Sequence, residues 1–132
     1  MSILKRIFGI CVTRLPADGS CWKMSDGKIV VDLEKAPELG RPGGAIRIEQ
    51  SGMDNRILLF LGDDGGYHAF LNKCACSGWR IDPQPGTSTV QCCTLAKSTY
   101  SYDGKVLSGP AKEPAQVFPV TKDGNKITIS IA

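Results

Sequence analysis

The stretch "NKCACSGWRIDPQPGTSTVQCCTLAKSTYSYDGKVLSGPA", residues 72–111, decides how this chain is read. Cys74 and Cys76 stand before, and Cys92 and Cys93 after, a connection that contains Pro83 and Pro85. Two cysteine pairs at the mouths of one connection suit metal ligands, a disulfide clip, or a site that has lost its metal. The connection, 77–91, lacks a strong strand pattern. Long connections inside small domains are usually functional or disordered, and this one is read as functional.

On either side the pattern is short apolar runs separated by turn residues. "KIVVDL" (28–33) follows Asp26-Gly27, and "AIRIE" (45–49) follows the breaker cluster "RPGG". "RILLFLG" (56–62) reads as a buried strand, joined through "GDDGG" to "YHAFL" (67–71). "STYSY" and "KVL" flank Asp103-Gly104, and "VFPVT" and "KITISI" flank "KDGN", both strong hairpin signals. Eight or nine short strands with closely spaced turns predict an all-β domain, a small sandwich or barrel-like stack. Residues 34–39 read as a helical turn or a crossing loop.

The chain has 132 residues, enough for one domain with a real core. Its charge of +3 is spread out, with no run of like charges to suggest nucleic acid. The opening "MSILKRIFGICV" places Ile3, Leu4, Ile7 and Phe8 at helical spacing. That run is too short for a spanning helix and lacks the pattern of a signal peptide. A short amphipathic helix docked on the domain is expected, in a cytoplasmic protein. Thiols stay reduced in that compartment, which favours metal or redox chemistry over a disulfide framework.

The two loops resemble those of the Rieske iron–sulfur family, in which a C-x-H loop and a C-x-x-H loop hold one [2Fe–2S] cluster. In "NKCACSG", Cys74 matches the family cysteine and Cys76 falls on the first histidine. In "CTLAKSTY" (93–100), Cys93, Ser98 and Tyr100 match the family's cysteine, serine and tyrosine. Ala96 and Lys97 fall on its second histidine and its glycine, and "DGKVLSGPA" (103–111) matches the stretch that follows. The resemblance implies antiparallel sheets with a cluster-binding subdomain of two loops at about 72–111, within a domain spanning 28–132. Residues 1–27 would then be an N-terminal arm carrying Cys11 and Cys21. It also implies that Ser98 and Tyr100 tune a centre by hydrogen bonding to its sulfurs.

Both histidine positions are lost, and the lone histidine, His68, reads as an ordinary strand residue. Cys74, Cys76, Cys92 and Cys93 together make a four-thiolate set, suited to a variant [2Fe–2S] cluster, a mononuclear iron or a zinc ion. Neighbouring residues on an extended strand face opposite ways, and the overlay favours Cys93 over Cys92. An empty scaffold, or a disulfide such as Cys76 to Cys92, stands as the alternative. Cys11 and Cys21 read either as buried thiols or as extra ligands or disulfide partners brought by the arm.

Other motifs carry less. Asp63-Asp64 reads as a solvated turn, and "RPGG" lacks the frame of a phosphate loop. Trp79 reads as a shield over the loops or a core aromatic. The expected role is a small electron carrier without catalysis of its own, serving a reductase or oxygenase. The competing role is a non-redox accessory module on the same scaffold.

Overall fold

The computed structural model describes residues 3–53, 55–75 and 78–131. Among them, strands form three four-stranded sheets in which every pairing is antiparallel. The first sheet holds β1 (Trp22–Ser25), β2 (Lys28–Asp32), β11 (Val120–Asp123) and β12 (Lys126–Ser130), in the order β1-β2-β12-β11. The second holds β3 (Ala45–Ile48), β4 (Ile57–Leu61), β5 (Tyr67–Leu71) and β10 (Val117–Phe118), in the order β10-β5-β4-β3. The third holds β6 (Ile81–Gln84), β7 (Thr89–Cys92), β8 (Thr99–Ser101) and β9 (Val106–Ser108), in sequential order. Among the described residues, helical structure is confined to a five-residue helix, α1 (Ile3–Ile7), and short 3-10 turns. The all-β expectation holds.

The unbroken apolar run of β4 has a direct cause. Its side chains alternate between two cores: Ile57 and Leu59 enter one cluster with Ile29, Val31, Ile127 and Ile129. Leu58 and Phe60 enter another with Phe70, Cys74, Ile81, Val90, Cys92 and Tyr100. A strand covered on both faces needs apolar residues at every position, so the period-2 pattern disappears. The second sheet is thus the middle layer, and the third sheet rides on its far face.

Three segments differ from the sequence reading. The connection 77–91 contains a hairpin, with Ile81 opposite Cys92 and Gln84 opposite Thr89. Pro83 disguised β6; as an edge strand it tolerates a missing N–H. "VFPVT" is not one strand. Phe118 pairs with Ala69 in the second sheet and Val120 with Ile129 in the first, so the chain changes sheet at Pro119, which cannot donate to a ladder. Residues 22–25 add β1, turned back onto β2 by Asp26 (φ 52°) and Gly27 (φ 73°), the two left-handed residues that a tight hairpin turn demands. The expected turn at 34–39 is two 3-10 turns, Leu33–Lys35 and Pro37–Leu39.

Candidate metal centre

The first loop leaves β5 at Asn72, which is fully buried. Its Oδ1 accepts from Ile81 N at 2.9 Å, which fixes the entrance of the loop against β6. Gly78 N donates to Cys74 O at 2.8 Å. Arg56 Nη2 then donates to Asn72 O and Gly78 O, both at 3.0 Å, and so pins the two ends of the loop together. Cys76, one of the expected ligands, lies outside the described residues, as does Ser77.

The second loop follows β7. Cys92 N donates to Ser98 O at 2.8 Å, and Lys97 N to Thr94 O at 3.3 Å. Lys97, which falls on the glycine of the resembling loop, has φ 54°, a left-handed conformation that favours glycine. Gly109, at φ 91°, packs directly on Ser98: a Cβ there would lie 2.5 Å from Ser98 Cα. Ser98 is fully buried, and its hydroxyl accepts from Ala111 N at 3.2 Å. The match over 103–111 therefore has a packing function, in that the Gly-Pro turn buttresses the loop.

The two loops are joined across their tips. Tyr100 Oη lies 3.3 Å from Cys74 Sγ and accepts from Ala75 N at 3.2 Å, with Cys74 and Tyr100 both fully buried. Whenever Cys74 is a thiolate or a ligand, the phenol is the partner with a proton to give. Cys93 N donates to Arg80 O at 3.1 Å. The Arg80 guanidinium in turn forms a two-pronged ion pair with Glu49, each bond 2.9 Å, anchoring this contact to the end of β3.

The arm completes the site. Cys11 is disulfide-bonded to Cys93, with Cα atoms 5.3 Å apart. The next two residues are held by a strand side chain: Asp82 Oδ2 accepts from Val12 N at 2.6 Å and Oδ1 from Thr13 N at 3.2 Å. Arg47 N donates to Arg14 O at 2.9 Å, so the arm runs beside β3. Gly9, at φ 65°, sits against the Trp79 indole, where a Cβ would lie 2.5 Å from the ring. Donor atoms of Cys11, Asp82 and Cys93 all lie within 4.8 Å of one another.

The cysteines named in the sequence thus divide by location. Cys74 and Cys93 sit on the two loops, and Cys11 reaches the second. Cys92 packs in the core beneath the third sheet, its Sγ 3.1 Å from Thr94 Oγ1. Cys21 is buried in the other core, between the first two sheets. There burial, aided by the nearby Glu38 and Asp18 carboxylates, raises its thiol pKa. Asp82 was missed by sequence reasoning: a carboxylate beside a proline, in a strand that the proline disguised, carries no spacing signal. His68 pairs with Asp64 at 3.0 Å and stacks on Tyr102, with ring centroids 4.5 Å apart. Asp63 is a bracket, its carboxylate accepting from Gly86 N and Ser88 N at 3.0 and 2.8 Å.

The described residues thus form a three-sheet β domain with paired loops, Cys74 on one and Cys93 on the other, and a tyrosine hydroxyl on the Cys74 sulfur. Comparison with known proteins agrees. The chain is 32% identical over 106 residues to the cytochrome b6-f complex iron-sulfur subunit of Chlorobaculum tepidum, covering 80% of this chain and 56% of that protein. It therefore spans just over half the length of that relative. Among solved structures it is similar to the ferredoxin of carbazole 1,9a-dioxygenase from Nocardioides aromaticivorans IC177, with a TM-score of 0.62, 18% identity, and 78% and 95% of the two chains covered. It is also similar to the cyanobacterial plasma membrane Rieske protein of Synechocystis PCC 6803, with a TM-score of 0.54, 20% identity, and 65% and 85% covered. A third likeness is to a complex of reduced oxygenase and oxidized ferredoxin in carbazole 1,9a-dioxygenase, with a TM-score of 0.56, 15% identity, and 68% and 82% covered. No protein-family model matches the chain. In sequence and fold the chain is similar to Rieske-type iron–sulfur proteins. Among its described residues, no helix is long and apolar enough to cross a membrane.

The family's iron–sulfur cluster can be tested against the donors present. Two-cysteine, two-histidine ligation does not fit, because Ala96 has no donor atom and the His68 ring is engaged elsewhere. A thiolate-rich centre fits better. Asn72 Nδ2, fully buried two residues before Cys74, has no hydrogen-bond partner among the described residues. A buried donor left unpaired costs about 1–3 kcal/mol, and an anionic sulfur beside it would remove that cost. The fit has one condition: Cys93 can act as a ligand only when its bond to Cys11 is open.

Proposed function

We propose that this chain is a small electron-transfer protein of Rieske type whose centre is cysteine-rich, an iron–sulfur or other metal centre without histidine ligands. The observation that carries this reading is the Tyr100 hydroxyl on Cys74 Sγ, opposite a second loop whose Cys93 sulfur is met by the arm thiol of Cys11. In this reading Cys74 and Cys93 are ligands, with Cys76 and Cys11 as the further thiolates. Cys92 is the weaker candidate because it packs in the core. A bound cluster would supply a one-electron couple. The chain's own residues would orient the sulfurs, exclude water and tune that couple. Tyr100 donates to Cys74, while Ser98, Gly109 and Arg56 hold the loop backbones still.

Thiolates place more negative charge on such a centre than imidazoles do. The potential is therefore expected near the plant-ferredoxin range, roughly −400 mV, well below Rieske values. The electron would pass to or from a partner protein, a reductase or an oxygenase, in the cytoplasm. The likeness to a ferredoxin recorded with its oxygenase supports that direction of search. The test is electron paramagnetic resonance on protein purified without oxygen and reduced by one electron. A signal from a reduced iron–sulfur centre supports the carrier, and a silent, colourless sample rejects it.

One observation favours a second reading. The Cys11–Cys93 disulfide occupies a sulfur that the carrier needs. If it stays closed, the chain is a non-redox accessory module whose loops are clipped rather than metal-bound. Metal analysis of the purified protein separates the two.

A further inference from the structure

The Cys11–Cys93 bond and Asp82 form one unit. Asp82 is 2% exposed, yet among the described residues no cation forms an ion pair with it. Arg80, two residues away, is committed to Glu49. Among the described residues, the carboxylate oxygens accept from the amides of Val12 and Thr13. Each of its oxygens keeps a lone pair after accepting one hydrogen bond. Those lone pairs are placed to meet a cation beside the carboxylate.

We propose that Cys11, Cys93 and Asp82 form a site for a single divalent metal ion of zinc type, locked by the disulfide and opened by reduction. This goes beyond the reading above: a zinc-type ion carries no electron, and at Cys11 and Cys93 it is an alternative occupant to an iron–sulfur centre rather than a part of one. The site takes Asp82 and Cys11 as donors where Ala96 offers none. Two thiolates and one carboxylate leave a fourth tetrahedral position open, a donor number suited to zinc. The amides on Asp82 fix its orientation, as outer-shell partners of metal ligands commonly do. Access is from the arm side: Cys11 is partly exposed and borders a cleft lined by Phe8, Gly9, Ile10, Trp79 and Arg80, while Cys93 and Asp82 lie buried behind it.

The chemistry balances. A small dithiol reductant gives two electrons and two protons, the S–S bond breaks, two thiols form, and the reductant becomes a cyclic disulfide. The metal ion then binds both sulfurs, and the two thiol protons leave to solvent. One sulfur cannot be in both states, so oxidation excludes the metal and bound metal blocks re-oxidation.

The test uses cobalt(II) alone as the probe, on the full chain, with sulfur-to-cobalt charge-transfer absorption as the readout. Dithiol-reduced protein is expected to bind one equivalent, and the disulfide form at least about a hundredfold more weakly. Bound cobalt should protect Cys11 and Cys93, and not Cys21, from alkylation read by mass spectrometry. Asp82→Asn and Cys11→Ser should each weaken binding by about tenfold or more, whereas Cys21→Ser should not. Disulfide formation in oxidised Asp82→Asn shows that this variant still folds at the site. Wild-type cobalt affinity in both Asp82→Asn and Cys11→Ser, or no binding by reduced wild type, overturns the proposal. The iron–sulfur reading fails separately, when reduced wild type takes up no iron and sulfide, and that outcome leaves the cobalt result standing.

Discussion

Cys11 and Cys93 lie 82 residues apart in sequence, and the bond between them ties the N-terminal arm to the second loop of the third sheet. A link across so long a loop is expected to stabilise the chain by about 4–5 kcal/mol in the chain-entropy model. Denaturant unfolding of metal-free protein with and without a dithiol measures it. Reduction should lower the midpoint and, because the arm is otherwise held by a few hydrogen bonds, speed proteolytic cleavage within residues 8–17. An unchanged midpoint would show that the bond does not form.

The backbone at Lys97 makes a second prediction. A left-handed lysine is strained by roughly 1–2 kcal/mol, so Lys97→Gly should stabilise the fold by up to about 1 kcal/mol once the greater freedom of glycine in the unfolded chain is set against it. Gly109→Ala should do the opposite and more strongly, since its Cβ meets Ser98 Cα at 2.5 Å. Thermal or urea unfolding of the pair checks the signs.

Glu49 gives a dependence on pH. Burial, the largest single influence, opposes its ionisation, but the hydrogen bonds and charge of Arg80, with Arg47 and Arg56, outweigh it and leave its pKa below the ordinary value. A depressed carboxyl contributes stability that is complete above the unfolded value of about 4.3 and is lost as pH falls through the folded one. Glu49→Gln should therefore cost about 1 kcal/mol at pH 7, a modest figure because Arg80 is partly exposed, and nearly nothing at pH 2. Urea midpoints of both proteins at the two pH values are the measurement.

Much of this architecture was legible. The strands 28–32, 45–48, 57–61 and 67–71 emerge from apolar runs bounded by Gly, Pro and Asp, because those residues set both strand content and turn geometry. The family match at Cys74, Cys93, Ser98 and Tyr100 located the loops. What stayed hidden depends on long-range contact. Cys11 was open to reading as a disulfide partner brought by the arm, but its pairing with Cys93, and that of Asp82 with Val12 and Thr13, exist only once the arm lies along β3, and no local pattern encodes that path. Pro83 and Pro119 misled for a related reason: whether a proline breaks a strand, edges a sheet or switches sheets depends on which ladder runs beside it.

For the redox couple, Tyr100→Phe removes the hydroxyl that faces Cys74 Sγ at 3.3 Å. A hydrogen bond that favours the reduced, more negative state is worth about 1 kcal/mol, or about 40 mV for one electron. The variant's potential should fall by that amount. With no imidazole ligand, neither protein's potential should change between pH 6 and 9. Spectroelectrochemistry at several pH values would expose histidine-like behaviour as a sloping potential.

The most direct test of the central claim, that thiolates at the two loop tips hold a redox centre, is chemical analysis. Dithiol-reduced protein would be supplied with ferrous iron and sulfide without oxygen, desalted, and assayed for iron and labile sulfide. The account predicts a coloured protein retaining about two iron and two sulfide per chain, with both lost in Cys74→Ser and Cys93→Ser. A colourless wild type with neither element, under conditions where its thiols are shown to be free to react, would contradict it.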